Sequence, residues 1–147
     1  MQPKGSPLDV EWIILADSAE VVNNKLYLIG GGWDSLTVNA PPPILHTCAV
    51  SVAFSVPWIE TNQQHNIEIA IDDQDGANLV KVEGQVEVGR PPGIPIGKAQ
   101  RVQMAIKLAL PLQKLGTHVI IARVEGQEER RVEFNVVAGP NLAVPSS

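Results

Sequence analysis

The chain has 147 residues, a single cysteine and a formal net charge of −5. That length allows one domain with a proper core. The acidic balance argues against a nucleic-acid binder, because Lys98, Arg101 and the adjacent Arg130 and Arg131 make no basic face or stripe.

The opening "MQPKGSPLDV" lacks the apolar core of a signal peptide. No apolar run reaches the ~20 residues that a membrane helix needs. Cys48 has no second cysteine to pair with, which favours a reducing compartment. These features predict a soluble cytoplasmic protein without membrane contact. Residues 1–8 read as a flexible tail, residues 9–138 as one domain and residues 139–147 as a second tail.

Next, "WIILADSAEVV" and "KLYLIG" flank Asn23-Asn24. Asparagine tolerates the left-handed conformation of tight turns, so the segment predicts a hairpin. It runs into "LIGGGWDSLTV", residues 28–38, whose three glycines suggest a phosphate loop. That reading fails. Such a loop needs Lys-Ser/Thr after its last glycine and then a helix, whereas Gly32 precedes Trp33-Asp34 and the β-prone Ser35-Leu36-Thr37-Val38. No βαβ unit surrounds it, so a dinucleotide fingerprint fails too. Gly30, Gly31, Gly32, Trp33 and Asp34 are therefore predicted to be a structural hinge, with the glycines bending the chain and Trp33 anchoring it in the core.

From residue 44 onward, period-two alternation dominates the chain. Ile44, His46, Cys48, Val50, Val52, Phe54 and Val56 fall on one face, with smaller and mostly more polar residues between them, which predicts a half-buried strand. His65, Ile67, Ile69 and Ile71, the turn "DDQDGAN", and Val80, Val82, Val86 and Val88 predict a second hairpin. In "RVQMAIKLALPLQKL" the alternation of Val102, Met104, Ile106 and Leu108 favours a strand to about Leu110. A turn or one helical turn at residues 111–115 is expected after it, because proline stops longer structure. "THVIIARV" and "RRVEFNVV" around "EGQEE" predict a third hairpin. Prolines 41–43, 57, 91, 92 and 95 cut the chain into short strands. The expected fold is all-β: a two-sheet antiparallel sandwich of about eight strands, immunoglobulin-like in the broad sense, without the Cys-Trp-Cys signature of true immunoglobulin domains.

Chemistry-bearing patterns are weak. Asp72, Asp73, Asp75 and Gly76 resemble a calcium-loop fragment. A hairpin turn explains them better, since the flanks are strands and no glutamate closes the loop. His46 and Cys48 share a strand face, but His65 and His118 lie in other segments at no ligand spacing, so no metal is expected. No G-x-S-x-G elbow is present, and Cys48 sits on an apolar face where thiols are inert, so neither an enzyme nor a cofactor is expected. "VPWIETNQQH" and "VGRPPGIPIG" instead put Trp58, Ile59, Ile94 and Ile96 on rigid loops. Apolar groups so placed suit a protein partner or self-association.

The stretch "ADSAEVVNNKLYLIGGGWDSL" is similar to the opening hairpin of an uncharacterised prokaryotic family, a domain of unknown function whose members read "cDxA…v-NGKL-i-GgfD". Ala16-Asp17-Ser18-Ala19, Asn24-Lys25-Leu26, Gly30 to Gly32 and Asp34 match it. Asn24 stands for the usual turn glycine and Trp33 for a phenylalanine-like residue. The similarity continues through "DDQDG" and "GTHVIIARVEGQ". It implies a small soluble β-sandwich and supplies no activity, cofactor or catalytic residue.

The expected role is a non-enzymatic accessory or structural subunit acting through protein contacts. Two alternatives are a small-ligand or carbohydrate-binding module that uses an exposed tryptophan, Trp58 or Trp33, and a shell or particle decoration component.

Overall fold

Each alternating strand has one apolar face, and the fold buries those faces by stacking two sheets. The computed structural model describes residues 7–140 and 142. The strands are β1 (Asp9–Val22), β2 (Lys25–Gly31), β3 (Ser35–Val38), β4 (Ile44–Val56), β5 (His65–Asp72), β6 (Asn78–Val86), β7 (Gln100–Leu112), β8 (Gly116–Val124) and β9 (Gln127–Ala138). The protein is all-β. One sheet has the order β2-β1-β4-β7 and the other β3-β9-β8-β5-β6.

The core is what alternation selects. Ile13 and Leu15 of β1, Val50, Val52 and Phe54 of β4, and Leu108 and Leu110 of β7 face Ile67, Ile69 and Ile71 of β5, Ile120 and Ala122 of β8, and Phe134 and Val136 of β9. Burying each such large side chain stabilises the fold by roughly 1.5–3 kcal/mol before entropy is charged against it.

The turns follow from backbone chemistry. Asn23 and Asn24 take φ of 52° and 62°, and Glu125 and Gly126 take 50° and 79°, so both hairpins close with two-residue left-handed turns. In the turn at residues 73–77 the Asp73 carboxylate accepts hydrogen bonds from the Asp75 and Ala77 amides at 2.9 and 3.0 Å.

Four expectations need correction. There are nine strands rather than about eight, and one pairing is parallel: β3 runs alongside β9, with Ser35 opposite Asn135. The chain reaches that edge by crossing between sheets rather than by a hairpin, so nothing forces it to run antiparallel. Pro111 does not end its strand or start a helical turn, and β7 continues to Leu112 with Pro111 opposite Leu45. This strand lies at a sheet edge, where the N–H groups on its outer side have no ladder partner to lose and proline is tolerated. Finally, β4 is buried on both faces from Cys48 to Phe54 rather than half-buried. Its second face carries the small residues Ala49, Ser51 and Ala53: Ala49 packs with Ala16, Ala19 and Ala105, and Ser51 accepts a hydrogen bond from the Trp12 indole.

Of the expected tails, residues 1–6, 141 and 143–147 lie outside the described residues. Leu8 is fully buried in the core. Beyond β9 the Gly139 amide donates to the Val38 carbonyl at 2.8 Å, and Leu142 packs against the core.

Candidate functional site

Trp58, Ile59, Ile94 and Ile96 come from two loops, and the structure brings those loops together. Trp58–Glu60 forms one 3-10 turn after β4. The Asn62 amide donates to the Val88 carbonyl at 2.7 Å, which ties that loop to the one following β6. Arg90 makes the main brace. Its guanidinium lies 4.1 Å over the Trp58 ring, its Nε donates to Thr61 Oγ1 at 2.7 Å and its Nη2 to the Trp58 carbonyl at 2.9 Å. His65 is buried and its Nε2 is 2.8 Å from the Glu60 carbonyl. Gln100 Nε2 donates to the Gly89 carbonyl at 2.8 Å.

These bonds hold the turn after β4 and the start of the second loop, while two side chains stay in water. Ile59 is 76% exposed and Ile96 88%. Trp58 and Ile94 are only half-buried. The sequence pointed to the apolar tips but not to Arg90, because no local pattern marks an arginine as a cross-loop brace.

The glycine-tryptophan segment lies elsewhere, at the crossing from β2 to β3. Gly30 and Gly32 take φ of 60° and 86°, and Asp17 packs against Gly30 where a Cβ would clash. The Gly32 amide donates to the Leu15 carbonyl at 2.7 Å, and the Asn135 amide to the Asp34 carbonyl at 2.9 Å. The crossing is thus bonded to both sheets. Trp33 packs on the core with its ring perpendicular to that of Phe134, centroids 6.2 Å apart. His118 stacks on the same Phe134 at 5.3 Å. Its Nδ1 lies 2.8 Å from the Gly116 carbonyl and donates to it, and its Nε2 is buried without a hydrogen-bond partner among the described residues.

A third feature could not be read from sequence, because it depends on register. On the outer face of the five-stranded sheet, Asp72, Val119 and Glu133 stand opposite one another on β5, β8 and β9, with Ile121 and Arg131 paired in the next rows. They line an open depression of about 380 Å³, closed at one end by Gln74 and Gly76. Its floor is apolar, and Arg131 in the same lining already faces the Asp72 and Glu133 carboxylates. Asp73 beside the depression is already satisfied. Burial alone would raise its pKa, but the Ala77 and Asp75 amides and then Lys114 outweigh that and hold it below the usual carboxylate value. Lys114 bridges Asp73 and Asp75, which offsets part of the turn's negative charge. Among the described residues no group of three His, Cys, Asp or Glu side chains is placed to hold a metal ion. Cys48 is buried, and burial, then the charge of Asp17, pushes its thiol pKa up to about 11. No helix of the described residues is long and apolar enough to cross a membrane.

A family model matches residues 11–137, and its family is described as one of unknown function, DUF6941. The chain belongs to this family. Membership agrees with the motif resemblance in the opening hairpin, and the DUF6941 match runs from β1 to the end of β9. No curated protein matches the chain. Two solved structures are similar in part. One is the alkylpurine DNA glycosylase AlkC of Pseudomonas fluorescens bound to DNA containing an abasic site analog, at 12% identity and a TM-score of 0.48 over 91% of this chain and 31% of that one. The other is a beta-glucosidase from Listeria innocua in complex with glucose, at 8% identity and a TM-score of 0.45 over 88% of this chain and 16% of that one. The chain therefore spans less than a third of either.

Proposed function

We propose that this DUF6941 chain is a non-enzymatic, cytoplasmic interaction protein that uses an immunoglobulin-like frame to present its braced loop end to another protein. The observation that carries the reading is the pair Ile59 and Ile96, both largely exposed, with Ile59 on the turn that Arg90 and its hydrogen bonds brace and Ile96 on the proline-rich loop that Arg90 begins. Pre-ordered apolar anchors lose little entropy on binding, which is what a contact surface requires. An exposed isoleucine on a slack loop would lack that advantage.

The alternative of a tryptophan-based carbohydrate site has less support. Arg90 covers one face of Trp58, and the Trp33 indole packs perpendicular to Phe134 with a buried Nε1.

The test is capture of partners from the source cell by the wild-type chain and by the double variant Ile59→Asp, Ile96→Asp. The expected result is a specific protein retained by the first and lost by the second at unchanged melting temperature. Equal capture by both, or tryptophan quenching by a sugar panel that saturates, would overturn the reading.

A further inference from the structure

A strand edge facing solvent is a template for another chain, and proteins guard such edges with short strands, prolines, charges or bulges. Three of the four edges here are guarded. β3 has only four residues. β6 carries Lys81, Glu83 and Gly84, and β7 carries Arg101, Lys107 and Pro111. The fourth edge, β2, reads KLYLIGG, with one charge at its first position and no proline. Tyr27 is 54% exposed and Ile29 70%. With Val22 and Leu28, the β1–β2 hairpin holds four of the nine large hydrophobic side chains exposed among the described residues.

The backbone of β2 is also set for pairing. The two-residue turn at Asn23-Asn24 makes Val22 and Lys25 a hydrogen-bonded pair. Alternation then aims the backbone groups of Lys25, Tyr27 and Ile29 at β1, and those of Leu26 and Leu28 at the open side.

Charge indicates the occupant. The edge is positive at its start, Lys25. It is negative at its end, where Asp17 packs against Gly30 and Asp34 follows the crossing. A second β2 laid antiparallel brings each Lys25 toward the other copy's acidic end, and does so twice, whereas a parallel copy would set like against like. A two-fold axis at Leu28 puts Leu28 opposite Leu28 and Tyr27 opposite Ile29, so the exposed apolar groups cover one another. Shifting the axis by one residue to Tyr27 would set Ile29 against Lys25.

We propose that a second copy of the chain pairs antiparallel along β2 about a two-fold axis at Leu28, joining two four-stranded sheets into one of eight strands. One strand edge with a few large side chains lies near the small end of stable interfaces, about 1,200 Å². The dimer is therefore reversible on dilution. It leaves the braced loop ends free, so a dimer offers two of them to a multivalent partner.

The test is sedimentation equilibrium of the full chain over a concentration series, alongside Ile29→Lys, Leu28→Cys and Ile96→Cys. The wild type is expected to show a monomer–dimer equilibrium that Ile29→Lys weakens at least tenfold without changing its melting temperature. Mild oxidation should cross-link Leu28→Cys, since opposed hydrogen-bonded residues sit about 5.5 Å apart between Cα atoms, within disulfide reach. Cys48 is buried and does not compete. Ile96→Cys should not cross-link. A wild type that stays monomeric throughout, a dimer that survives Ile29→Lys, or cross-linking at Ile96→Cys instead would overturn the proposal. So would β2 amides protected from exchange only when a different protein is added. Failure of the loop-end reading is separate, because Ile59→Asp with Ile96→Asp leaves β2 untouched.

Discussion

The two sheets share one core but turn opposite kinds of surface to the solvent. The outer face of the five-stranded sheet is laced with charge. Glu68 accepts from Arg123 and pairs with Lys81, which also reaches Glu83, while Arg131 holds Glu128 through two hydrogen bonds. The outer face of the four-stranded sheet has a floor of small residues, Ala16, Ala49, Ser51 and Ala53, bordered by Trp12, Ile14, Tyr27 and Ile29. An ion pair, Arg101 with Glu11, stands at one end, where the guanidinium also lies 4.9 Å over the Trp12 ring. A charge-laced face is content in water, whereas the second sheet's small-residue floor is already buried and its exposed apolar groups lie along the open β2 edge, where cover would bring a gain. The contrast supports the proposal that the β2 edge of the four-stranded sheet is a contact side.

Four substitutions can break or sharpen that contrast. The largest effect is expected at the crossing that joins the sheets. Trp33→Ala should destabilise by about 3 kcal/mol, the low end for a buried aromatic because part of the ring is exposed. Denaturant melts with unchanged slope would confirm it, and an unaltered midpoint would refute the anchoring role. Trp12→Ala should cost about 2 kcal/mol, since it removes a half-buried ring together with its hydrogen bond to Ser51 and the stacked Arg101. On the charged face Arg123→Ala should cost only about 0.5–1 kcal/mol, as partly exposed ion pairs do. If Arg123→Ala proved costlier than Trp12→Ala, the division of labour between the faces would be wrong.

The fourth and subtlest test is pH. Asp73 has a lowered pKa in the folded chain, so its charge adds stability above the ordinary carboxylate pKa of about 3.9, and this is lost as pH falls through the lower folded value. Asp73→Asn keeps an oxygen for the two amides but loses the charge facing Lys114. It should melt earlier than the wild type at neutral pH, with the difference fading in acid. A difference constant with pH would show that the charge is irrelevant.

Much of the fold was legible because burial imposes a period. Alternation from Ile44 to Val56 delimits β4 with the observed ends, and Asn23-Asn24 marks its turn through a backbone preference that needs no neighbours. Pro111 misled because its effect depends on whether a strand is central or at an edge, and strand order is a long-range property. The parallel β3 was hidden for the same reason. At the loop end, Ile59 and Ile96 stood out beside prolines, whereas Arg90 is informative only once Trp58 and Thr61 are known to lie beneath it. The row Asp72, Val119 and Glu133 and the open edge of β2 exist only after register and order are set.

The parallel pair also bears on how the chain is made. Ser35 waits for Asn135, a separation of 100 residues, and Val38 for Ala138. During synthesis the first hairpin can close early, but β3 has no ladder partner until β9 has left the ribosome. Such distant pairing slows folding. A chain stopped before β9 would carry a loose crossing and an uncovered Trp33, a ready mark for quality control.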